Sequence, residues 1–163
     1  RGVGELKGML QARGLALEYV GAGGDSLFLA VVRQLRRGGV EPASWGADSE
    51  ESLARVARAE IVKHVAVHAQ EFSSMTSRPV VDLMTRLAEI AAPGTPVGAP
   101  ELTAVARHFE VRIEVYLLTA AGPELWNFEP LDGTAPRATL VLATAGNTGN
   151  LFWSTTSIPL PPP

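Results

Sequence analysis

The sequence contains no cysteine among its 163 residues. Disulfide bonds, metal sites built on thiolates and catalysis by a cysteine nucleophile are therefore excluded for the chain as it stands. The absence of cysteine does not fix the compartment, because it is compatible with oxidising and with reducing surroundings.

The chain also lacks a strong excess of charge of one sign and any long apolar run. Charged residues make up 19% of the chain, the formal net charge is −3, and the basic residues are scattered apart from Arg36 and Arg37. No apolar run is long enough to span a membrane, and no secretory signal pattern is visible. We therefore expect neither a nucleic-acid nor a membrane partner. A soluble, intracellular protein is favoured, while the compartment itself stays open.

The composition that is present suits one folded domain. Hydrophobic residues make up 46% of the chain and the mean hydropathy is +0.13, enough for a sizeable core at this length. We expect a single domain over residues 1–158. The proline-rich tail 159–163 begins a linker, because proline cannot join a sheet ladder. Since the chain starts with Arg1 and not Met, we expect a fragment of a longer protein, whose other regions are among its partners.

Apolar residues at helical spacing recur through the first two thirds of the chain. The pattern predicts helices over residues 3–11, 26–37, 49–72, 80–90 and 99–109. Asp48 or Ser49 caps the third of these, which runs through Phe72. Pro79 opens the fourth, because proline suits the first turn of a helix.

The pattern changes to strands in the last third. Apolar and polar residues alternate over 111–117, which predicts a half-buried strand with Arg112, Glu114 and Tyr116 on its other face. Further strands are predicted over 125–128, 138–143 and 151–156. Helices followed by strands indicate an α+β domain with a mainly antiparallel sheet.

A glycine-rich segment, residues 21–25, leads into the second predicted helix. Its glycines allow a tight turn and converging backbone N–H groups. A small nucleophile at Ser26 would sit at the positive end of the helix dipole, which lowers a thiol pKa but helps a hydroxyl far less. The alternative is that Ser26, or Asp25 before it, simply caps the helix.

This segment resembles the nucleophile loop of the OTU (ovarian tumour) family of papain-like deubiquitinases. In that family Asp-Gly-Asn-Cys or Asp-Gly-Asp-Cys runs into an amphipathic helix, and here Ser26 stands at the cysteine. A second segment, 94–116, resembles the family's helix leading into a central strand, although its first part departs from the pattern. The residues that keep the pattern are Glu101, Leu102, Ala106, Phe109, Ile113, Val115 and Tyr116. The resemblance implies the OTU fold, with helices packed on a mainly antiparallel central sheet.

The resemblance also implies that three catalytic positions are changed. Gly23 stands where the family has an aspartate, Ser26 where it has the cysteine, and Leu151 where it has a histidine. A single change at the nucleophile would fit laboratory inactivation. Three changes together favour natural loss of catalysis.

The three histidines do not occupy the expected position. His64 and His68 lie four residues apart on a helix and, with Glu60 or Glu71 nearby, could bind a metal or a proton, but no clear third ligand is evident. His108 ends a helix, where a cation complements the dipole. Structural roles are favoured for all three, and we expect no metal and no cofactor.

The leading hypothesis is an OTU-like pseudoprotease with a binding or scaffolding role, which retains recognition of ubiquitin or a ubiquitin-like protein without hydrolysis. Its groove would be lined by Gly24, Asp25, Phe152 and Trp153 and accept an extended Gly-Gly-type tail. The alternative for the two aromatic residues is a place in the core. The alternative function is an active OTU deubiquitinase, a cysteine peptidase that cleaves ubiquitin isopeptide bonds, whose nucleophile has been changed to Ser26 and whose histidine lies elsewhere in the sequence. A domain with no ubiquitin contact is the third hypothesis.

Overall fold

Six α-helices form most of the first two thirds of the chain. The computed structural model describes residues 2–21, 23–145 and 151–159. The helices are α1 (Gly2–Gln11), α2 (Ser26–Arg37), α3 (Glu50–Val67), α4 (Ala69–Thr76), α5 (Val80–Ile90) and α6 (Ala99–Phe109), with one turn of 3₁₀ helix at Ala43–Trp45. None of the described helices is long and apolar enough to cross a membrane.

Five strands form one mixed sheet. They are β1 (Leu15–Glu18), β2 (Arg112–Thr119), β3 (Gly122–Phe128), β4 (Thr139–Ala145) and β5 (Phe152–Ser157). Their order in the sheet is β1-β5-β4-β2-β3, and only the β2–β4 pair is parallel. The predicted α+β class with a mainly antiparallel sheet is confirmed. Residues 147–150, which lead into β5, and 160–163 of the proline-rich tail lie outside the described residues.

The long helix predicted through Phe72 is divided into two. Ser49 caps α3 as expected, because its side chain accepts a hydrogen bond from the Ser52 N–H. At His68 the backbone leaves the helical range (φ −107°, ψ 35°), and α4 starts at the next residue. The apolar spacing continues across this break, which is why the sequence pattern indicated one helix.

Helices pack against both faces of the sheet, while the edge strand β3 stays largely exposed. The main core lies between one face and helices α2, α3, α5 and α6. On the other face, Leu6 and Leu10 of α1 pack against Tyr116 and Ala143. Tyr116 is therefore only 7% exposed, whereas Arg112 and Glu114 on the same face stay partly exposed, so the predicted alternation holds at the start of β2 and fails at Tyr116. The short amphipathic α1 covers the part of this face around Tyr116 that was expected to meet solvent.

One glutamine ties α2 to the sheet. Gln34 accepts a hydrogen bond from the Val141 N–H (2.7 Å) and donates to the Ser154 hydroxyl (2.9 Å). Backbone pairing of β4 with β5 covers only Leu142–Thr144 on β4. The Gln34 amide therefore satisfies polar groups just beyond that pairing, and it fixes α2 relative to β5.

Candidate functional site

The glycine-rich segment is a tight turn that ends where α2 begins. Gly23 has φ +82°, a value that glycine tolerates without strain, and the Ser26 N–H donates to the Gly23 carbonyl at 3.3 Å. The Asp25 carbonyl accepts the N–H of Leu29 at 3.0 Å, the first bond of the helix. The Asp25 side chain makes no capping bond to the helix, so its carboxylate is directed elsewhere.

Ser26 joins the start of α2 to the start of β5. Its side chain is completely buried, and its Oγ accepts a hydrogen bond from the Phe152 N–H at 2.9 Å. Leu151 directly precedes Phe152, and its carbonyl accepts the Thr144 hydroxyl at 2.8 Å. The structure thus brings together the segments that carry Ser26 and Leu151, although they are far apart in the sequence.

A buried arginine supports the turn from beneath. Arg58 of α3 is 2% exposed and donates to the Gly24 carbonyl (3.0 Å) and to Asp25 Oδ1 (2.8 Å). It also donates to the Ile90 carbonyl (2.8 Å), and its guanidinium lies 4.8 Å from the Phe28 ring centre. Sequence reasoning missed Arg58. The available signal was its place on the apolar face of a predicted helix, where a lone arginine needs partners.

Asp25 connects the turn to the segment before α6. Its Oδ1 also accepts the Gly94 N–H at 2.9 Å. Burial raises the pKa of Asp25, but the Gly94 N–H and the Arg58 guanidinium outweigh it and hold the pKa below its usual value. At Gly24 a Cβ atom would lie 2.1 Å from the Gly94 carbonyl oxygen. The two segments are therefore in direct backbone contact, and only glycine fits at this position.

The start of α6 is fixed by its own carboxylate. Glu101 Oε1 accepts the Gly98 N–H at 2.9 Å, which closes a capping arrangement. The side chain is 5% exposed, and burial raises its pKa. Glu101, one of the residues that keep the pattern of the segment 94–116, thus has a structural role at the start of the helix.

The two aromatic residues of β5 point to opposite faces of the sheet. Phe152 is 4% exposed and belongs to the main core on the side of Ser26. Trp153 is partly buried and packs against the cluster formed by α1. The structure therefore brings Gly24, Asp25 and Phe152 close to Ser26 and does not bring Trp153 there.

All three histidines form one cluster between α3 and α6. His64 and His68 stack with ring centres 4.4 Å apart, and His108 Nδ1 lies 3.3 Å from His64 Nδ1. His108 Nε2 contacts Glu60 Oε2 at 2.9 Å. Burial lowers the pKa of His64 to about 4, and the neighbouring imidazoles contribute. The sequence carried no signal for this meeting, because His108 comes from a distant helix.

The structure describes no metal-binding group of three or more His, Asp or Glu side chains in residues 2–21, 23–145 and 151–159.

Comparison with known proteins matches no family model and no curated protein. Solved structures do match. The OTU domain of OTUD1 superposes with a TM-score of 0.71 at 19% identity, over 96% of this chain and 95% of that one. The chain has the OTU fold. An OTU domain in complex with ubiquitin gives 0.62 at 18% identity, over 87% and 69%. A ubiquitin-bound OTU deubiquitinase from Wolbachia pipientis wMel gives 0.56 at 11% identity, over 89% and 97%.

These likenesses confirm the OTU fold that the two sequence segments predicted. Sequence identity this low establishes the fold alone. The chemistry of this chain therefore depends on the residues around Ser26.

Proposed function

We propose that this chain is an OTU-type pseudoprotease that binds ubiquitin or a ubiquitin-like protein and does not hydrolyse it. The proposal rests on the burial of the Ser26 side chain and on its hydrogen bond. Ser26 stands at the nucleophile position of the resemblance, and its buried Oγ accepts the Phe152 N–H. A nucleophile must present its oxygen to the substrate carbonyl, whereas this oxygen is turned into the protein.

A serine nucleophile also needs a base within hydrogen-bond reach. Asp25 is the adjacent carboxylate, but its Oδ1 accepts hydrogen bonds from Arg58 and Gly94, which favour the ionised form and lower its basicity. Leu151 supplies no imidazole at the position where the family has one. These contacts support an anchoring role for Asp25.

The three histidines are turned away from Ser26. Arg58 is the α3 residue that reaches the Gly24–Asp25 backbone and side chain. His64 lies six residues further along α3, about 9 Å along the axis and about 240° around it. Its imidazole and those of His68 and His108 therefore face another side of the helix. This geometry argues against any of the three histidines acting as the base for Ser26.

Recognition of ubiquitin is proposed from the fold and from the exposed side chains of two helices. OTU domains of the same fold form complexes with ubiquitin. A cavity of about 630 Å³ lies between α4, α5 and α6, and Met75 lines it while remaining 46% exposed. Val81 and Met84 on one face of α5 are 70% and 43% exposed. Exposed apolar side chains on adjacent helices suit an apolar partner surface.

The alternative is an active cysteine peptidase whose cysteine has been changed to Ser26. The contact between the α2 start and the β5 start favours it, because a catalytic pair requires that juxtaposition. It would require Leu151 to be compatible with catalysis or another base to approach. This alternative predicts that a cysteine at position 26 reacts with ubiquitin-based probes, whereas the pseudoprotease predicts that it does not.

Binding is tested by adding the chain to isotopically labelled ubiquitin and following the amide chemical shifts. We expect saturable shifts on an apolar surface of ubiquitin and along its C-terminal tail. The double variant Val81→Asp/Met84→Asp should weaken them at least tenfold. Val67→Asp is the matched control, since Val67 is 69% exposed on α3. Absence of shifts at millimolar concentration would rule out ubiquitin as the ligand.

A further inference from the structure

The histidine cluster contains a pair of nitrogen atoms with the spacing of two ligands on one metal ion. His64 Nδ1 and His108 Nδ1 are 3.3 Å apart. An ion about 2.0–2.1 Å from each nitrogen, the usual distance for zinc, would subtend an angle of roughly 104–111° between them. That angle is close to tetrahedral. The two imidazoles come from different helices, so their spacing is set by the packing of α3 on α6 and not by helical periodicity.

A carboxylate orients one of these ligands from the rear. His108 Nε2 contacts Glu60 Oε2 at 2.9 Å, which assigns the ring proton of a neutral imidazole to Nε2 and leaves a lone pair on Nδ1. Glu60 is itself fixed, because its Oε1 accepts the Trp45 indole N–H at 3.0 Å. A carboxylate, a histidine and a metal in line are the usual supporting arrangement of zinc ligands.

His68 is directed differently from the other two imidazoles. Its Nδ1 lies 2.9 Å from the His64 carbonyl oxygen, so that nitrogen carries the proton and donates. Its ring stacks on His64 with an interplanar angle of 27°. The two rings therefore lie face to face, and replacement of His68 serves as the matched control, since His68 is a histidine of the cluster that is not a ligand.

We propose that His64 and His108 bind one divalent transition-metal ion of the zinc type through their Nδ1 atoms, with Glu60 holding His108. The remaining coordination positions are filled by water, since a cavity of about 550 Å³ opens beside both imidazoles. In the metal-free cluster the His64 Nδ1–H donates to the lone pair of His108 Nδ1. Metal binding therefore requires the His64 proton to move from Nδ1 to Nε2, and no other proton has to leave the neutral cluster. The site lies on the α3–α6 side and is independent of the function proposed around Ser26.

The charges facing the pair set a limit on its affinity. Lys63 and Arg137 line the same cavity, and Arg107 lies close enough to lower the pKa of His64. Arg107 is paired with Glu71 at 3.2 Å, which reduces its repulsion of a cation. Two protein ligands and a basic rim therefore favour a reversible site over a permanently occupied structural one.

The test uses Co²⁺ and Zn²⁺ on the whole chain at pH 7.5. We expect one Co²⁺ per chain with the strong visible absorption of four-coordinate cobalt, displaced by Zn²⁺. His64→Gln and His108→Gln should each abolish it, and His68→Gln should leave it unchanged. Glu60→Gln should weaken binding about 10–100-fold, as loss of a supporting carboxylate does.

Two outcomes would overturn the proposal. One is the absence of a cobalt spectrum at millimolar metal. The other is loss of binding in His68→Gln with retention in His108→Gln, which would assign the ion to the adjacent pair on α3. Thermal unfolding of each metal-free variant establishes that the comparison is made between folded proteins.

Discussion

Replacement of Arg58 by methionine tests whether the buried guanidinium supports the turn at Ser26. Methionine keeps much of the apolar stem and removes all of the donors. The Gly24 and Ile90 carbonyl oxygens, both in buried hydrogen bonds, would then lose a partner. The Asp25 carboxylate would lose one of its two donors and keep the Gly94 N–H.

The magnitude follows from how each acceptor is placed. A buried carbonyl left without a partner costs about 1–3 kcal/mol. The Asp25 side chain is 38% exposed, so loss of its ion pair adds about 1 kcal/mol or less. Relief of the guanidinium's own burial offsets part of this cost. We expect a net destabilisation of about 2–4 kcal/mol, which lowers the Tm of a domain of this size by roughly 4–16 °C.

The assay is thermal unfolding followed by circular dichroism, with urea unfolding as a second measure. Arg55→Met is the matched control, because Arg55 is exposed one turn earlier on the same helix. Arg55→Met should change the Tm by no more than about 2 °C. If Arg58→Met stayed within the same limit, the guanidinium would not be the support of the turn, and the reasoning would be refuted.

Three further predictions concern the contacts that hold the turn before Ser26 and helix α2 in place. Gly24→Ala should prevent folding or cost more than about 3 kcal/mol, because its Cβ would meet the Gly94 oxygen, whereas Gly8→Ala in α1 should be neutral or stabilise by up to about 1 kcal/mol in urea unfolding. Gln34→Leu should cost about 1–3 kcal/mol in urea unfolding, since the Val141 N–H loses its acceptor; an unchanged midpoint would contradict this. The lowered pKa of Asp25 contributes stability that is present above its unfolded pKa and lost as the pH falls through the lower folded value. Acid titration of Asp25→Asn should therefore show a shallower loss below about pH 4, and an identical acid profile would count against the assigned contacts.

Local patterns predicted the fold class, most of the helices and four of the five described strands, but not β1 at Leu15–Glu18. Helical spacing and Pro79 placed α5 at Val80–Ile90 as the structure has it, because these signals act within one or two turns. The glycine turn before Ser26 was also readable, since positive φ favours glycine. The helix break at His68 was not, because apolar spacing continues across it.

Features that depend on packing between distant segments could not be predicted. Trp153 was expected beside Ser26, and the alternation of β5 carries it to the face that α1 covers. His64 and His108 meet because α3 packs on α6, and nothing in either helix alone indicates that contact. The contacts of Arg58 could not be predicted for the same reason, since its partners are the carbonyls of Gly24 in the turn and of Ile90 at the end of α5.

The most direct test of the pseudoprotease proposal is the reaction of the Ser26→Cys variant with a thiol-reactive ubiquitin probe. The account predicts no labelling, because position 26 is buried, faces the Phe152 N–H and has no neighbouring imidazole to lower the thiol pKa. An unchanged Tm for the variant and labelling of a known deubiquitinase serve as controls. Stoichiometric labelling of Cys at position 26 would contradict the account and identify the chain as a cysteine peptidase that carries serine in place of its nucleophile.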